Sequence, residues 1–303
     1  ARDRLEGARG WVRVDGRPVG DWPEEIFKFG PLTAIRLEPG GNDFGHQPVW
    51  SGSNRYGEPS EDMVGGGANC NDWTAWNNEK VVRYGYSDTT AEWLNNGDLT
   101  TCSRTKRKYI YCFQIDRYSP LNKADYAEKK GRRLFVSTGR FDARSGREGA
   151  DELCMADVTA NNLGGTFKAL LADINRIPVS RFMASGGKIV RLDGLLVASS
   201  IDALSEQDIV HPPVYQGNME MWTGPVFTGS SSPSTPGTAG STCAGWTMTA
   251  TGDEYRFYAG YSAGTSLATQ SARNWFGYGY EYCWEFREKL PVYCLEQTVI
   301  NLP

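Results

Sequence analysis

The stretch YCLEQ at residues 293–297 decides how the chain is organised, because residues 111–114 carry a shortened version of it, YCFQ. Working outward from this pair, four further stretches match in the same order. They are 260–262 with 85–87, 243–247 with 70–74, 222–224 with 50–52, and 189–194 with 11–16. Five matches in one order, with similar gaps, indicate an internal repeat. The sequence therefore predicts two copies of one module.

The second copy has an opening that the first copy lacks. Residues 133–136 (RLFV) are typical of a strand, and 149–161 and 166–173 are predicted to be short helices. The first copy joins the pattern only at Arg4-Leu5, the counterpart of Arg181-Phe182. About fifty residues are thus missing from it, as counted on the second copy. We expect domain 1 at 1–116 without its first strand and helix, a linker at 117–132, domain 2 at 133–298 and a tail at 299–303.

Composition argues against several classes of protein. A formal net charge of -4 does not favour a nucleic-acid partner. No apolar run reaches about eighteen residues, so no transmembrane segment is predicted. The opening ARDRLEGARG does not resemble a signal peptide, so an exported protein would have lost its targeting segment or carried it in the missing part. Aromatic residues at 12% and 35 glycines favour a loop-rich domain that contains β-structure.

The cysteines indicate disulfides and not a metal site. There is no CxxC pair, and the only two histidines, His46 and His211, lie far from any cysteine in sequence. Disulfides place the protein in an oxidising compartment. The second copy has four cysteines, which allow three pairings, and spacing alone does not choose among them. The seven cysteines are Cys70, Cys102 and Cys112 in the first copy and Cys154, Cys243, Cys283 and Cys294 in the second.

Four stretches of the second copy resemble the endostatin-like domain of bacterial surface proteins, whose best-known members are the leptospiral endostatin-like proteins. They are residues 165–171 (GTFKALL), 190–194 (VRLDG), 222–224 (WTG) and 292–297 (VYCLEQ). The resemblance covers 133–297 in full and 4–114 in part, and animal endostatin looks like a more distant relative. It implies a duplicated α+β fold of the C-type-lectin-like kind, with a twisted, mostly antiparallel sheet, two short helices and long loops.

The resemblance also implies nested disulfides, Cys154–Cys294 and Cys243–Cys283. Applied to the first copy through the repeat, this pairing predicts Cys70–Cys102 and leaves Cys112 without a partner in this chain. We favour a bond from Cys112 to the missing half, carried on another polypeptide. The alternatives are a buried, inert thiol and a catalytic nucleophile, which requires a nearby base. No histidine cluster like that of endostatin is present, so zinc is not carried over.

Two surface stretches are candidate ligand sites, each with a plainer alternative. One is the basic run Arg104, Lys106, Arg107 and Lys108, which suits sulfated or acidic polysaccharide, although a solvated hairpin is the favoured interpretation. The other is the aromatic tract Trp275, Phe276, Tyr278 and Tyr280, which suits sugar stacking or a protein partner unless it packs beneath its own loops. Trp73 and Trp246, each three residues after a cysteine, are predicted to be core residues packed against disulfides.

The function expected from these features is binding without catalysis. No GxSxG, HExxH or Gly-rich phosphate loop is present, and neither a cofactor nor a metal is expected. We expect a secreted or cell-surface protein that adheres to matrix, glycan or protein, or is a subunit of an extracellular structure. A half-domain exposes a sheet face and a strand edge to another chain. The alternatives are a carbohydrate-binding, lectin-like module and an enzyme built on a lectin-like fold.

Overall fold

The computed structural model has mixed α and β structure in two compact units, unit 1 (Ala1–Lys123) and unit 2 (Ala124–Pro303). Their division lies inside the segment predicted to be a linker. The structure describes residues 2–61, 67–103, 108–182, 186–207, 209–247, 256–263, 275–283 and 289–302.

Unit 1 contains a hairpin, a helix and a three-stranded antiparallel sheet. After a 3-10 turn at Arg2–Leu5, β1 (Trp11–Val12) pairs with β2 (Pro18–Gly20). Helix α1 (Pro23–Phe29) starts with proline and ends at Gly30, whose φ of 82° suits a residue without a Cβ. The sheet consists of β3 (Pro48–Trp50), β4 (Val81–Tyr86) and β5 (Leu99–Thr101) in that order, with the short helical turn α2 (Cys70–Trp73) between β3 and β4 in sequence.

Unit 2 begins with a segment that has no counterpart in the sequence of unit 1. This segment holds β6 (Lys130–Val136), α3 (Gly146–Ala160) and β7 (Phe167–Ala169), and we call residues 130–173 the opening segment. The predicted strand 133–136 lies in β6. The predicted helix 149–161 overlaps α3, which begins three residues earlier and ends one residue earlier. The predicted helix 166–173 is wrong: Phe167–Ala169 form a strand because they pair with a later strand of the same sheet.

The rest of unit 2 repeats the order of elements in unit 1 and ends with two further strands. These elements are β8 (Ile189–Val190), β9 (Leu196–Ala198), α4 (Ile201–Ser205), β10 (Pro225–Phe227), α5 (Cys243–Trp246), β11 (Arg256–Tyr261), β12 (Gly279–Tyr282), β13 (Tyr293–Glu296) and β14 (Ile300–Asn301). One sheet has the order β7-β13-β6-β8-β9, with β14 also paired to β6, and the other has the order β10-β11-β12. All pairs are antiparallel except β6 with β8. The segment predicted to be a tail thus contributes β14.

The two three-stranded sheets have the same register. Val49 of β3 lies opposite Gly85, and Val226 of β10 lies opposite Gly260. Both glycines are tightly covered: an added Cβ would lie 2.2 Å from the Trp93 carbonyl oxygen at Gly85 and 2.0 Å from the Trp275 carbonyl oxygen at Gly260. A Cβ does not fit at such distances, so both positions require glycine.

The large sheet of unit 2 has a hydrophobic core on each face. Alternate residues of a strand point to opposite faces. Phe135 and Cys294 accordingly belong to the cluster that includes α3, whereas Leu134, Tyr293 and Leu295 belong to the cluster on the other face. The core of unit 1 is smaller and gathers around its hairpin and α1. Its buried members are Leu5, Ala8, Trp11, Val19, Ile26, Phe27, Trp93 and Leu94.

Candidate functional site

Three disulfides join the cysteines that the resemblance paired. They are Cys70–Cys102, Cys154–Cys294 and Cys243–Cys283. All seven cysteines lie in described residues. Of these seven, only Cys112 has a free thiol, and that thiol is exposed. The alternative of a buried, inert thiol is therefore wrong.

In unit 2, the counterpart of Cys112 is enclosed on every side. Cys294 lies in the middle of β13, opposite Phe135 of β6 on one edge and Ala169 of β7 on the other. Its sulfur is bonded to Cys154 of α3, and both cysteines are fully buried. The opening segment therefore supplies all three of these contacts.

In unit 1, the corresponding residues 111–114 have no such cover. Within the described part of unit 1, no strand pairs with them. The rings of Tyr111 and Phe113 pack against the core of unit 1, and three hydrogen bonds hold the segment in place. The Trp50 amide donates to the Tyr109 carbonyl oxygen at 2.9 Å, and the Trp11 indole donates to the Gln114 carbonyl oxygen at 2.8 Å. The Tyr111 hydroxyl donates to the Tyr86 carbonyl oxygen at 3.1 Å.

Apolar side chains next to this stretch are exposed. Ile110 is 66% exposed and Ile115 is 60% exposed. Ile110 lines two grooves, and Ile115 lines the larger of them. The larger, of about 770 Å³, is lined by residues that include Phe27, Trp50, Trp73, Trp93, Phe113 and Ile115. The smaller, of about 350 Å³, is lined by residues that include Trp11, Val19, Leu37, Phe44, Ile110 and Cys112. We call residues 109–115 and these two grooves the open face.

The left-handed backbone conformation of α2 places the side chain of Trp73 on the open face. All four residues of α2 have positive φ, from 52° to 67°, a left-handed turn that is costly for side chains with a Cβ. The Asn69 side chain stabilises the turn by accepting from the Asp72 amide at 3.1 Å. The α5 turn does the same in unit 2, where Thr242 accepts from the Gly245 amide at 2.9 Å. Both turns place a tryptophan at their last residue.

The two tryptophans differ in burial. Trp246 is fully buried, its ring centroid lies 5.6 Å from that of Phe141, and its indole donates to the Ala172 carbonyl oxygen at 2.7 Å. Trp73 is 47% exposed, so the prediction that it is a core residue is wrong. The reason is that Phe141 and Ala172 both belong to the opening segment, which has no counterpart in unit 1.

The tyrosines beneath the open face are held in their neutral form. Burial of its hydroxyl, assisted by the negative charge of Asp88, raises the pKa of Tyr111 above its ordinary range, although its ring edge remains partly exposed. Burial, with the nearby Tyr84, raises the pKa of Tyr86 to about 12. Both phenols are therefore neutral at pH 7, and the Tyr111 hydroxyl anchors the segment to β4.

The predicted aromatic site is not a single surface. Trp275 and Phe276 are fully buried and pack against Tyr293, so their assignment as ligand-binding residues is corrected. Tyr278 is 39% exposed and stands edge-on to Tyr261, with ring centroids 4.7 Å apart. Tyr280 lies in β12, and its side chain is outside the described residues.

The predicted basic site is mostly outside the described residues as well. Arg104, Lys106 and Arg107 fall there, and Lys108 alone is described, with intermediate exposure.

Among the residues that the structure describes, no group of three or more histidine, cysteine or acidic side chains is placed to hold a metal ion. No described helix has the length and apolar character needed to cross a membrane.

Known proteins supply no further assignment. The chain matches no protein-family model and no curated protein sequence. The function must therefore be argued from the open face itself. Sequence reasoning anticipated an exposed strand edge but missed Trp73, Ile110 and Ile115. The signal for Trp73 was the matching Trp246, which is covered by Phe141 and Ala172 of the opening segment.

Proposed function

We propose that this chain is a non-enzymatic, extracellular or cell-surface binding and assembly protein with two endostatin-like units of the C-type-lectin-like kind. Unit 1 binds a protein partner through the open face. The observation that carries this proposal is the partial exposure of residues 111–114 beside two apolar grooves, where the matching residues 293–296 of unit 2 are all buried.

The chemistry of the open face favours a protein over a glycan. An unpaired stretch of backbone offers N–H and C=O groups in the spacing that another extended chain matches. The grooves beside it are lined mainly by aromatic and aliphatic side chains. Such pockets hold the apolar side chains of a protein anchor, and sugars in contrast need convergent polar groups.

The three disulfides support an extracellular location. Bonds of this kind form and persist in oxidising compartments. The Cys154–Cys294 bond joins residues 140 positions apart, and closing so long a loop stabilises the folded state by about 5 kcal/mol in the chain-entropy model. A domain that depends on such a bond is suited to secretion.

The test is to place charge on the open face. Ile110→Lys/Ile115→Lys changes two side chains that are already exposed, so the fold tolerates both. We expect the wild-type chain to bind at least one protein in a panel of immobilised extracellular-matrix proteins, and the double variant to bind it at least about tenfold more weakly, a loss of about 1.4 kcal/mol. The measurement is the dissociation constant by surface plasmon resonance.

Matched controls separate the open face from general surface charge. Met219→Lys and Val299→Lys alter residues of unit 2 that are 47% and 42% exposed. These variants should bind within about twofold of the wild type. The proposal is contradicted if the double variant binds as well as the controls do, or if a glycan array gives the only signal and that signal survives the double substitution.

A further inference from the structure

We infer that the open face is completed by a strand–helix–strand segment from outside residues 1–303, which forms a disulfide with Cys112. This inference rests on the proposed function and names the partner. It follows from the internal comparison that unit 2 offers, since unit 2 holds such a segment at the same position.

Three exposed features of unit 1 each correspond to a contact with the opening segment in unit 2. The free thiol of Cys112 corresponds to the Cys294 sulfur that is bonded to Cys154. The unpaired stretch 111–114 corresponds to β13, which pairs with β6 and β7 on its two edges. The exposed Trp73 ring corresponds to Trp246, which the opening segment covers. One segment accounts for all three features.

The positions of the two grooves agree with this occupant. Ile110, Tyr111 and Phe113 line both grooves, and Cys112 lines the smaller one. In unit 2, β13 has one neighbouring strand on each side. A single strand added to one edge would fill one groove only. A segment with two strands joined by a helix fills both.

The helix of the occupant must carry a specific pattern. In α3, Ala150, Cys154 and Val158 are buried and lie four residues apart, on one face of the helix. Small side chains on both sides of the cysteine let the helix approach the sheet closely enough for a disulfide, whose Cα–Cα distance is 5.5 Å here. The occupant therefore has a cysteine flanked by small apolar residues four positions before and after it.

The two units differ in the charge of the side chain at one matched position. Glu296 of β13 is fully buried and accepts two hydrogen bonds from the guanidinium of Arg133 of β6, at 2.9 and 2.7 Å, and one from its backbone amide at 3.1 Å. Unit 1 has Gln114 at this position, which carries no charge. A buried arginine beside it would have no carboxylate partner and would be costly. The strand that lies along Gln114 thus has a neutral side chain where β6 has Arg133.

The occupant comes from outside residues 1–303. The only segment of this kind in the described residues is the opening segment, and it already fills unit 2, where Cys154 is bonded to Cys294. A second copy of the chain can lend its own opening segment only by opening its unit 2. Such an exchange would break as many contacts as it makes.

The bond formation balances as an ordinary thiol oxidation. The thiols of Cys112 and of the partner cysteine each lose a proton and one electron, and a sulfur–sulfur bond forms between them. A low-molecular-weight disulfide accepts the two electrons and two protons and is released as two thiols. Oxidised glutathione is the oxidant in the test below.

The test uses a surrogate for the occupant: a synthetic peptide of residues 129–174 with the substitution Arg133→Gln, which places a neutral side chain opposite Gln114. The peptide contains Cys154 and no other cysteine. The full chain is mixed with this peptide in glutathione buffer, and the adducts are mapped by mass spectrometry. We expect a Cys112–Cys154 adduct at a yield at least about tenfold above that of a scrambled peptide of the same composition. The Ala150→Arg/Val158→Arg peptide, which keeps its thiol, should fall to the scrambled level, and a Cys112→Ser chain should form no adduct.

Other outcomes overturn the inference. They are equal yields from the native and scrambled peptides, and a product that consists mainly of chains joined through two Cys112 residues, which would make a second copy the occupant. Failure here is distinguishable from failure of the proposed function. If Ile110→Lys/Ile115→Lys abolishes matrix-protein binding and the peptide gives no selective adduct, the open face binds proteins but its occupant is of another kind.

Discussion

Residues 111–114 and 293–296 have nearly the same sequence and opposite environments. In unit 2 the stretch is the central strand β13, buried between two neighbours. In unit 1 it is partly exposed, with Cys112 at the surface. The difference teaches that the pattern Tyr-Cys-x-Gln/Glu does not by itself make a strand. Its environment depends on a segment that lies more than a hundred residues away in sequence.

The parts of the two units that do not need this segment look alike. Both have a hairpin followed by a short helix, a three-stranded sheet with a covered glycine, and a left-handed turn closed by a disulfide. Each prediction below substitutes equivalent positions in the two units. Each variant in unit 1 thus serves as the matched control for the variant in unit 2.

The largest difference is expected for the cysteines. Cys294→Ser removes the bond that closes the longest loop of the chain and leaves Cys154 buried without its partner. We expect the free energy of unfolding of unit 2 to fall by about 5 kcal/mol. Cys112→Ser changes an exposed atom and should alter unit 1 by less than about 0.5 kcal/mol.

Local hydrogen exchange measures the two effects separately, because peptides that cover 293–296 report on unit 2 and those that cover 81–86 report on unit 1. Protection of 293–296 should be lost in Cys294→Ser, and protection of 81–86 should be unchanged in Cys112→Ser. A loss of protection in unit 1 on substitution of Cys112 would mean that its sulfur already stabilises that unit, contrary to the exposed position described above.

The tryptophans should show the next largest difference. Trp246→Ala empties a fully buried site and removes the hydrogen bond to Ala172, so the free energy of unfolding of unit 2 should fall by about 3–5 kcal/mol. Trp73→Ala should cost about 1 kcal/mol or less, because nearly half of its surface is already in water. Urea unfolding followed by hydrogen exchange checks both values. Equal losses would show that Trp73 is covered in solution.

The sequence predicted the features that repeat locally. The strand 133–136, the helix 149–161 and the corresponding cysteines are found where the repeat and the resemblance placed them. These features depend on residues that are close in sequence, or on one pattern that occurs twice.

Apart from the Cys154–Cys294 disulfide, which the family resemblance implied, features that depend on distant partners were not predicted. Residues 166–173 contain Phe167-Lys168-Ala169-Leu170-Leu171, whose apolar content fits a short helix as well as a buried strand, and only the pairing with β13 decides between the two. Trp275 and Phe276 looked exposed beside glycines, but they pack on Tyr293, which follows them by seventeen residues or more in sequence. In each case the deciding neighbour is distant along the chain.

The smallest expected difference concerns two arginine–aspartate pairs of the repeated hairpin. Arg191 donates to Asp193 at 3.0 and 2.5 Å and is almost fully buried, whereas the Arg13–Asp15 pair, at 2.9 and 2.6 Å, has a more exposed carboxylate. Burial tends to raise the pKa of Asp193, but the charge and hydrogen bonds of Arg191 outweigh it and the pKa is lowered. The pKa of Asp15 is lowered chiefly by its hydrogen bonds from Arg13.

A lowered pKa means that the folded state favours the charged carboxylate. Each pair therefore stabilises the fold above the unfolded pKa of about 3.9 and loses this contribution as the pH falls below it.

At pH 7, Asp193→Asn should therefore cost about 3 kcal/mol, because it leaves Arg191 buried without its partner, and Asp15→Asn should cost about 1 kcal/mol or less. Urea unfolding at pH 7 and pH 3 measures both. The deficit of Asp193→Asn relative to the wild type should shrink at pH 3, because Asp193 of the unfolded wild type then binds a proton more readily than the folded carboxylate does, and the wild type loses part of this stabilisation. A deficit that stays constant between the two pH values would mean that Asp193 acts through its shape and hydrogen bonds, and that its charge contributes nothing.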